Sequence, residues 1–163
     1  MTLTSHAIVG AAIANLAPDH PGLGFALAWA SHYALDMVPH LDYDVDSLTN
    51  DIRPVHRILW NRRAMGKISL IAADFAFGML VCMVIFAYDR TTFVATLAGV
   101  AGGMLPDFLQ FCYHAWKKFP WTFFQKFHDF FHHPDKMKDK RVRGVASQIL
   151  LPLAVLVGYF LVK

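Results

Sequence analysis

Residues 68–88 read ISLIAADFAFGMLVCMVIFAY, and this stretch decides the fold class. Among its side chains only that of Asp74 is charged. An α-helix needs about 20 mainly apolar residues to cross the roughly 30 Å hydrocarbon core of a bilayer. The stretch therefore predicts a membrane-spanning helix.

Further apolar segments surround it, at residues 7–17, 22–38, 92–113 and 146–162. The whole chain is 56% hydrophobic and 17% charged, against roughly 45–50% and about 25% in ordinary soluble domains. No Lys or Arg precedes Arg53, so the first segment lacks the basic region of a cleavable signal peptide and is predicted to be a retained helix. We predict one all-α domain, residues 1–163, forming an integral membrane bundle of four to five membrane helices.

Basic residues are concentrated in two loops, residues 39–67 and 113–145, whereas the other side of the predicted topology carries only Arg90 and Lys163. By the positive-inside rule, both loops and the amino terminus are predicted to be cytoplasmic, and the carboxyl terminus to lie outside. The formal net charge is only +3. A nucleic-acid partner is therefore not expected, and the oligomeric state is open.

Ionisable side chains inside the apolar segments mark the candidate site, because they are costly within a bilayer. In the alternating topology, Asp36, Asp74 and Asp107 fall within about 9 Å of the cytoplasmic membrane face. Histidines and one more aspartate join this layer: His6, His32, His40, Asp42 and His114.

Small residues precede several of these polar residues at helical spacing. Gly24 and Ala28 lead to His32, and Gly99 and Gly103 lead to Asp107, at intervals of four residues. Such stripes let helix backbones approach closely in membranes. The polar side chains are thus predicted to face the interior of the bundle.

Buried, unpaired carboxylates cost roughly 2.5–3.5 kcal/mol each at the bilayer centre. The segments contain no Lys or Arg to offset this cost, which leaves a proton or a metal ion. Aspartate and neutral histidine are usual ligands of zinc and related divalent ions. Two other interpretations remain open at this point: a layer of polar contacts that ties helices together, and an ion conduit whose far end is Asp19 and His20.

Three motifs carry a resemblance to a family: residues 5–10 (SHAIVG), residues 31–40 (SHYALDMVPH) and residues 103–107 (GMLPD). They resemble the bacterial membrane-bound metal-dependent hydrolases and, more distantly, the superfamily of zinc-dependent phospholipases C and single-strand nucleases. The family's His-Arg-Gly-x-Thr-His-Ser segment has no counterpart here, since His56-Arg57 is followed by Ile58.

The resemblance implies a bacterial inner-membrane protein that hydrolyses phosphoesters of lipids, such as phospholipids, or of membrane-proximal substrates. It implies that His6, His32, Asp36 and Asp107 bind a divalent metal, zinc or alternatively manganese. The family's Pro-Asp motif also matches Pro18-Asp19, but the topology favours Asp107. The alternative function is a non-catalytic membrane protein with a structural metal or a polar packing layer.

The remaining members of the layer have predicted supporting roles. Asp74 is predicted to be catalytic, as a base or by orienting a ligand histidine. His40, Asp42 and His114 are predicted to complete the metal shell.

Residues 119–133 predict an amphipathic helix lying in the inner membrane interface. Its phenylalanines (123, 124, 127, 130 and 131) fit one face, predicted to contact lipid. Gln125, His128, Asp129 and His132 fit the other face, which we expect to be wet. Contact with phosphate headgroups, or metal binding through the i, i+4 pair His128 and His132, are the alternatives for that face.

Overall fold

The computed structural model describes residues 1–43, 61–131 and 141–163. Within these ranges the chain forms six helices and no strand, which confirms the predicted all-α class. The helices are α1 (Leu3–Ala14), α2 (Pro21–Asp36), α3 (Arg62–Phe86), α4 (Arg90–Trp116), α5 (Trp121–Phe131) and α6 (Arg141–Val162).

Three of the described helices, α3, α4 and α6, are long and apolar enough to cross a membrane. The prediction of four to five membrane helices was therefore wrong. At 1.5 Å per residue, the 12 residues of α1 and the 16 residues of α2 extend about 18 and 24 Å. Both lengths are shorter than the roughly 30 Å core, because the chain turns at residues 15–20 and α2 ends at Asp36.

Helix α1 is the central element of the bundle and contacts α2, α3, α4 and α6. It forms an antiparallel hairpin with α2, in which Ala14 lies beside Gly24 and His6 stacks on His32. Just past the end of α1, the Asn15 amide donates to the carbonyl of Ala11 and to the hydroxyl of Thr96 at 2.9 Å. This buried contact joins the tip of the hairpin to α4.

The small residues make this close packing possible, as their spacing predicted. A methyl group added at Gly99 would lie 2.7 Å from the carbonyl carbon of Gly10, and one at Gly103 would lie 2.5 Å from the carbonyl oxygen of His6. Neither distance leaves room for a side chain. Helices α1 and α4 therefore touch through their backbones, and this brings together His6, one turn before Gly10, and Asp107, one turn after Gly103.

The outer helices present large apolar side chains to their surroundings. Leu70, Leu80 and Val84 of α3 and Leu161 of α6 are each at least 61% exposed. An apolar surface of this kind is typical of contact with lipid rather than water. Helices α3 and α4 form a hairpin, whose turn is closed by a capping box between Asp89 and Thr92.

Candidate metal centre

Helix α2 supplies the core of the site, with His32 and Asp36 one turn apart and fully buried. The Nε2 atom of His32 lies 3.0 Å from Oδ2 of Asp36. The other ring nitrogen, Nδ1, lies 2.7 Å from the carbonyl oxygen of Gly103. A carbonyl oxygen only accepts, so Nδ1 carries the proton, and in a neutral ring Nε2 would present a lone pair toward Asp36.

Helix α1 contributes His6, which is completely buried against the opposite oxygen of Asp36. Its Nε2 atom lies 3.2 Å from Oδ1 of Asp36. The imidazole rings of His6 and His32 stack with their centroids 3.9 Å apart. The two stacked histidines therefore lie at different oxygens of the Asp36 carboxylate.

Helix α4 brings Asp107 to the same two histidines. Its Oδ1 lies 3.9 Å from Nε2 of His32, and its Oδ2 lies 3.9 Å from Nε2 of His6. The Asp107 side chain is 19% exposed, whereas Asp36 is only 1% exposed. Asp107 thus lies on the outward-facing side of the cluster.

Helix α5 contributes His128, for which the sequence favoured a wet surface and left metal binding as an alternative. Its Nε2 atom lies 3.2 Å from Oδ2 of Asp36, and the residue is 3% exposed. The expectation of a wet polar face was wrong for His128 and Gln125, which both turn inward. The i, i+4 pair of His128 and His132 was the available signal, but His132 lies outside the described residues.

The packing of α5 explains this orientation. Phe127 stacks on Trp29 with ring centroids 6.0 Å apart, and Phe131 contacts Tyr33. Part of the predicted lipid face therefore binds α2 instead. Phe123 and Phe130 remain 61% and 81% exposed and keep the expected outward position.

The segment after α2 closes the cluster on the Oδ1 side of Asp36. Nε2 of His40 lies 3.6 Å from that oxygen and 2.8 Å from Oδ1 of Asp42. The Met1 amine lies 3.1 Å from Oδ1 of Asp42 and 3.6 Å from Oδ1 of Asp36. Burial opposes charge on this amine, but Asp36, Asp107 and Asp42 outweigh it and raise the pKa of the amine above its usual value.

The donor atoms at the centre of the cluster are close together but are not hydrogen bonded to one another. Nε2 of His6, Nε2 of His32 and both oxygens of Asp36 are buried without a hydrogen bond. Buried polar atoms are rarely left in this state. Ligands about 2.0–2.2 Å from a tetrahedral zinc ion lie roughly 3.3–3.6 Å from each other, and Nε2 of His32 lies 3.0 Å from Oδ2 of Asp36 and 3.9 Å from Oδ1 of Asp107.

Four of these residues could hold one metal ion together. One donor atom from each of His32, Asp36, Asp107 and His128 lies within 4.8 Å of the others. Two imidazoles and two carboxylates form a set suited to zinc or a related divalent ion. No protein-family profile, curated protein or solved structure matches this chain.

Asp74 makes its hydrogen bonds to Thr4 and Tyr43. Its carboxylate accepts from the Thr4 hydroxyl at 2.7 Å, from the Thr4 backbone N–H at 3.1 Å and from the Tyr43 hydroxyl. Burial and the bond to Asp74 raise the pKa of Tyr43 above its usual value. Asp74 thus joins α3 to the start of α1, and its catalytic role stays a prediction.

The three remaining candidates, His114, Asp19 and His20, are placed differently. His114 stacks edge-on with Tyr113 and lines a cavity that also reaches Asp107. Asp19 and His20 are exposed in the turn between α1 and α2, at the opposite end of α1 from His6. Of the two Pro-Asp motifs, the structure therefore places Asp107 in the cluster.

Proposed function

We propose that this protein is a membrane-bound, metal-dependent hydrolase of phosphoesters. The observation that supports this most is the convergence of imidazole nitrogens and carboxylate oxygens from α1, α2, α4 and α5 on one buried point, with no hydrogen bonds among the central atoms. The carboxylates of the cluster outnumber the Met1 ammonium beside them. A bound divalent cation would therefore balance the remaining negative charge.

His32, His128, Asp36 and Asp107 are the proposed ligands, with His6 at the second oxygen of Asp36. A bound zinc ion would lower the pKa of a water molecule and neutralise charge on a phosphoryl oxygen. The bond from His32 Nδ1 to Gly103 fixes the ring and its tautomer, as a partner behind a ligand histidine commonly does. Phosphoester hydrolysis then adds the water oxygen to phosphorus and breaks the ester P–O bond, and the departing alcohol takes a proton.

The partial exposure of Asp107 favours a catalytic site over a structural one. A catalytic metal must keep a coordination position that water can reach, and with four protein ligands this would be a fifth position. Asp107 borders a cavity, so one side of the cluster is accessible. The alternative, a structural metal or a polar packing layer, draws support from the Met1 amine, which supplies a positive charge without any metal.

The reaction class and the bacterial inner-membrane location rest on the family resemblance, and the orientation rests on the basic loops. In this topology the hairpin of α1 and α2 begins and ends on the same side of the membrane. The three crossings are then those of α3, α4 and α6. The amino terminus and the two long loops then remain cytoplasmic, with the carboxyl terminus outside. The proposed site lies at the cytoplasmic interface, where lipid headgroups and membrane-proximal phosphoesters are available.

Metal content tests this proposal directly. Full-length protein is purified in detergent after preparation in zinc or manganese, as wild type, His32→Ala, His128→Ala and the control His20→Ala. We expect metal in the wild type and control and loss of it in the other two, because His20 is exposed far from the cluster. A metal-free wild type would refute the proposal.

Phosphate release from lipid and soluble phosphoesters then separates the two candidate functions. Turnover that disappears in His32→Ala supports the hydrolase. Bound metal without hydrolysis of either kind of substrate would support the structural alternative.

A further inference from the structure

A cavity of about 630 Å³ lies between α3 and α4 and begins at the proposed metal centre. Its walls include Phe75 and Met79 of α3 and Leu97, Val100 and Phe108 of α4. The volume falls within the roughly 300–1,000 Å³ typical of small-molecule sites. Its large apolar side chains are partly exposed, as Phe75 (44%) and Phe108 (59%) show, so the space between the helices is not filled by the described part of the chain.

The cavity has a polar end and an apolar end. Among its described lining residues the polar side chains are those of Tyr43, Asp107, Gln110 and His114. All those on α4 lie toward its carboxyl end, whereas Met79 and Leu97 lie toward the turn of the α3–α4 hairpin. This gradient matches an amphiphile with one polar head and one hydrocarbon chain.

The length of the cavity also suits a lipid chain. Leu97 and Asp107 are ten residues apart in α4, which corresponds to about 15 Å along the helix. Half of the bilayer's hydrocarbon core is also about 15 Å. A chain lying between α3 and α4 would therefore extend from the metal centre to the middle of the membrane.

We propose that this cavity binds a hydrocarbon chain of the substrate and that the substrate is a lipid phosphoester whose phosphate lies beside Asp107. This inference rests on the proposed function. The described lining residues include no Lys or Arg, so a metal held by Asp107 is the positive group available at this end for the phosphate.

The cavity would bind the lipid chain to position its headgroup, and not because the chain gains hydrophobic free energy there. Lipid tails are as apolar as leucine side chains, so a chain gains little transfer energy by moving from bilayer to cavity. Its benefit is that the headgroup is held at the ligand cluster, which increases the effective concentration of the phosphoester there. Recognition should thus require phosphate and chain together.

Photolabelling tests the inference without relying on turnover. The zinc-loaded full chain in lipid nanodiscs is exposed to a single-chain alkyl phosphate with a photoreactive group at the chain terminus, and labelled peptides are mapped by mass spectrometry. We expect label near Met79 and Leu97, reduced by excess dodecyl phosphate and not by dodecyl maltoside or inorganic phosphate. Label on the outward face of α3 at Leu80, or equal competition by the maltoside, would show ordinary membrane lipid and overturn the inference.

Matched substitutions sharpen the result. Ala72→Trp and Ala101→Trp fill the cavity from opposite walls, whereas Ala73→Trp adds the same bulk to a neighbouring position outside the lining. We expect both cavity variants to lose the label and keep their metal, and Ala73→Trp to retain both. Either folded cavity variant that labels like the wild type counts against the inference.

Hydrolysis of soluble bis(4-nitrophenyl) phosphate distinguishes this inference from the proposed function. Turnover of this ester by a protein whose cavity is not labelled would refute the lipid-chain site alone. Phosphate-dependent labelling of a protein that holds no metal and hydrolyses no phosphoester would refute the hydrolase and leave a lipid-phosphate site.

Discussion

In α2, Nε2 of His32 lies 3.0 Å from Oδ2 of Asp36, yet both atoms are buried without a hydrogen bond. The i, i+4 spacing on a helix places the two side chains on one face, and the bond from His32 to Gly103 holds the ring. The pair is therefore oriented before any ion binds. A lone pair and a carboxylate aimed at the same space form an unfavourable arrangement that a cation relieves.

Asp36→Asn should abolish metal-dependent stabilisation. A ligand at a hundredfold excess over its Kd stabilises the folded state by about 2.7 kcal/mol, so zinc should raise the Tm of the wild type in detergent. The Asn variant loses the charge at the centre of the cluster, and its Tm should not respond. The exposed Asp19→Asn variant is the control, and an equal response in Asp36→Asn would contradict a metal role for this carboxylate.

Gly99→Ala should destabilise the protein by about 1–3 kcal/mol, because the added methyl overlaps the backbone of α1. Gly66→Ala is the matched control in α3, since nothing lies within 4 Å of the position that its methyl would take. The control should be neutral or stabilising by up to about 1 kcal/mol. Thermal unfolding in detergent measures both, and equal Tm changes would argue against backbone contact between α1 and α4.

Asp74→Asn should lower stability and leave metal content unchanged. The carboxylate accepts three hydrogen bonds from Thr4 and Tyr43, and a hydrogen bond to a charged group contributes about 1.5–3 kcal/mol. A decrease in Tm of roughly 4–8 °C is expected for a loss of about 2 kcal/mol. If the predicted catalytic role is correct, kcat also falls in Asp74→Asn but not in Thr4→Val, which weakens the same contact.

Nitroxide labels on α5 should distinguish its two exposed sides. Cys82 and Cys112 are first replaced by alanine. A label at Phe130→Cys should then show high accessibility to oxygen, which concentrates in lipid. A label at Asp129→Cys should respond to a water-soluble relaxing agent, because this exposed residue lies on the polar side of the helix. Equal oxygen accessibility at the two positions would refute an interfacial location for α5.

The turn between α3 and α4 should lose stability in acid. The backbone N–H and hydroxyl of Thr92 donate to Asp89 and lower the pKa of its carboxyl group. A lowered folded-state pKa stabilises the protein above the unfolded value near 3.9, and this stabilisation is lost as the pH falls below it. Asp89→Asn should keep the cap at neutral pH and lose less Tm on acidification than the wild type, as thermal unfolding across pH would show.

The sequence alone determined the class of the fold and predicted part of the candidate site. Apolar length predicts helices 68–88 and 92–113 with little dependence on neighbours, because the bilayer's thickness sets that length. The stripe from Gly99 to Asp107 predicts an inward polar residue, since small residues mark the face that packs. In this way, His6, His32, Asp36 and Asp107 could be placed in one polar layer before any contact was known, and the family resemblance implied that these four bind metal.

Only the tertiary structure decided how these elements are used. The number of crossings depends on α1 and α2, whose central position comes from packing on α4 that no local pattern encodes. His128 turns inward because Phe127 and Phe131 bind Trp29 and Tyr33 instead of lipid. Asp74 pairs with Thr4, 70 positions away in the chain. The periodicity of a helix shows that it has two faces, but the free energy of contact with its neighbours decides which face is buried.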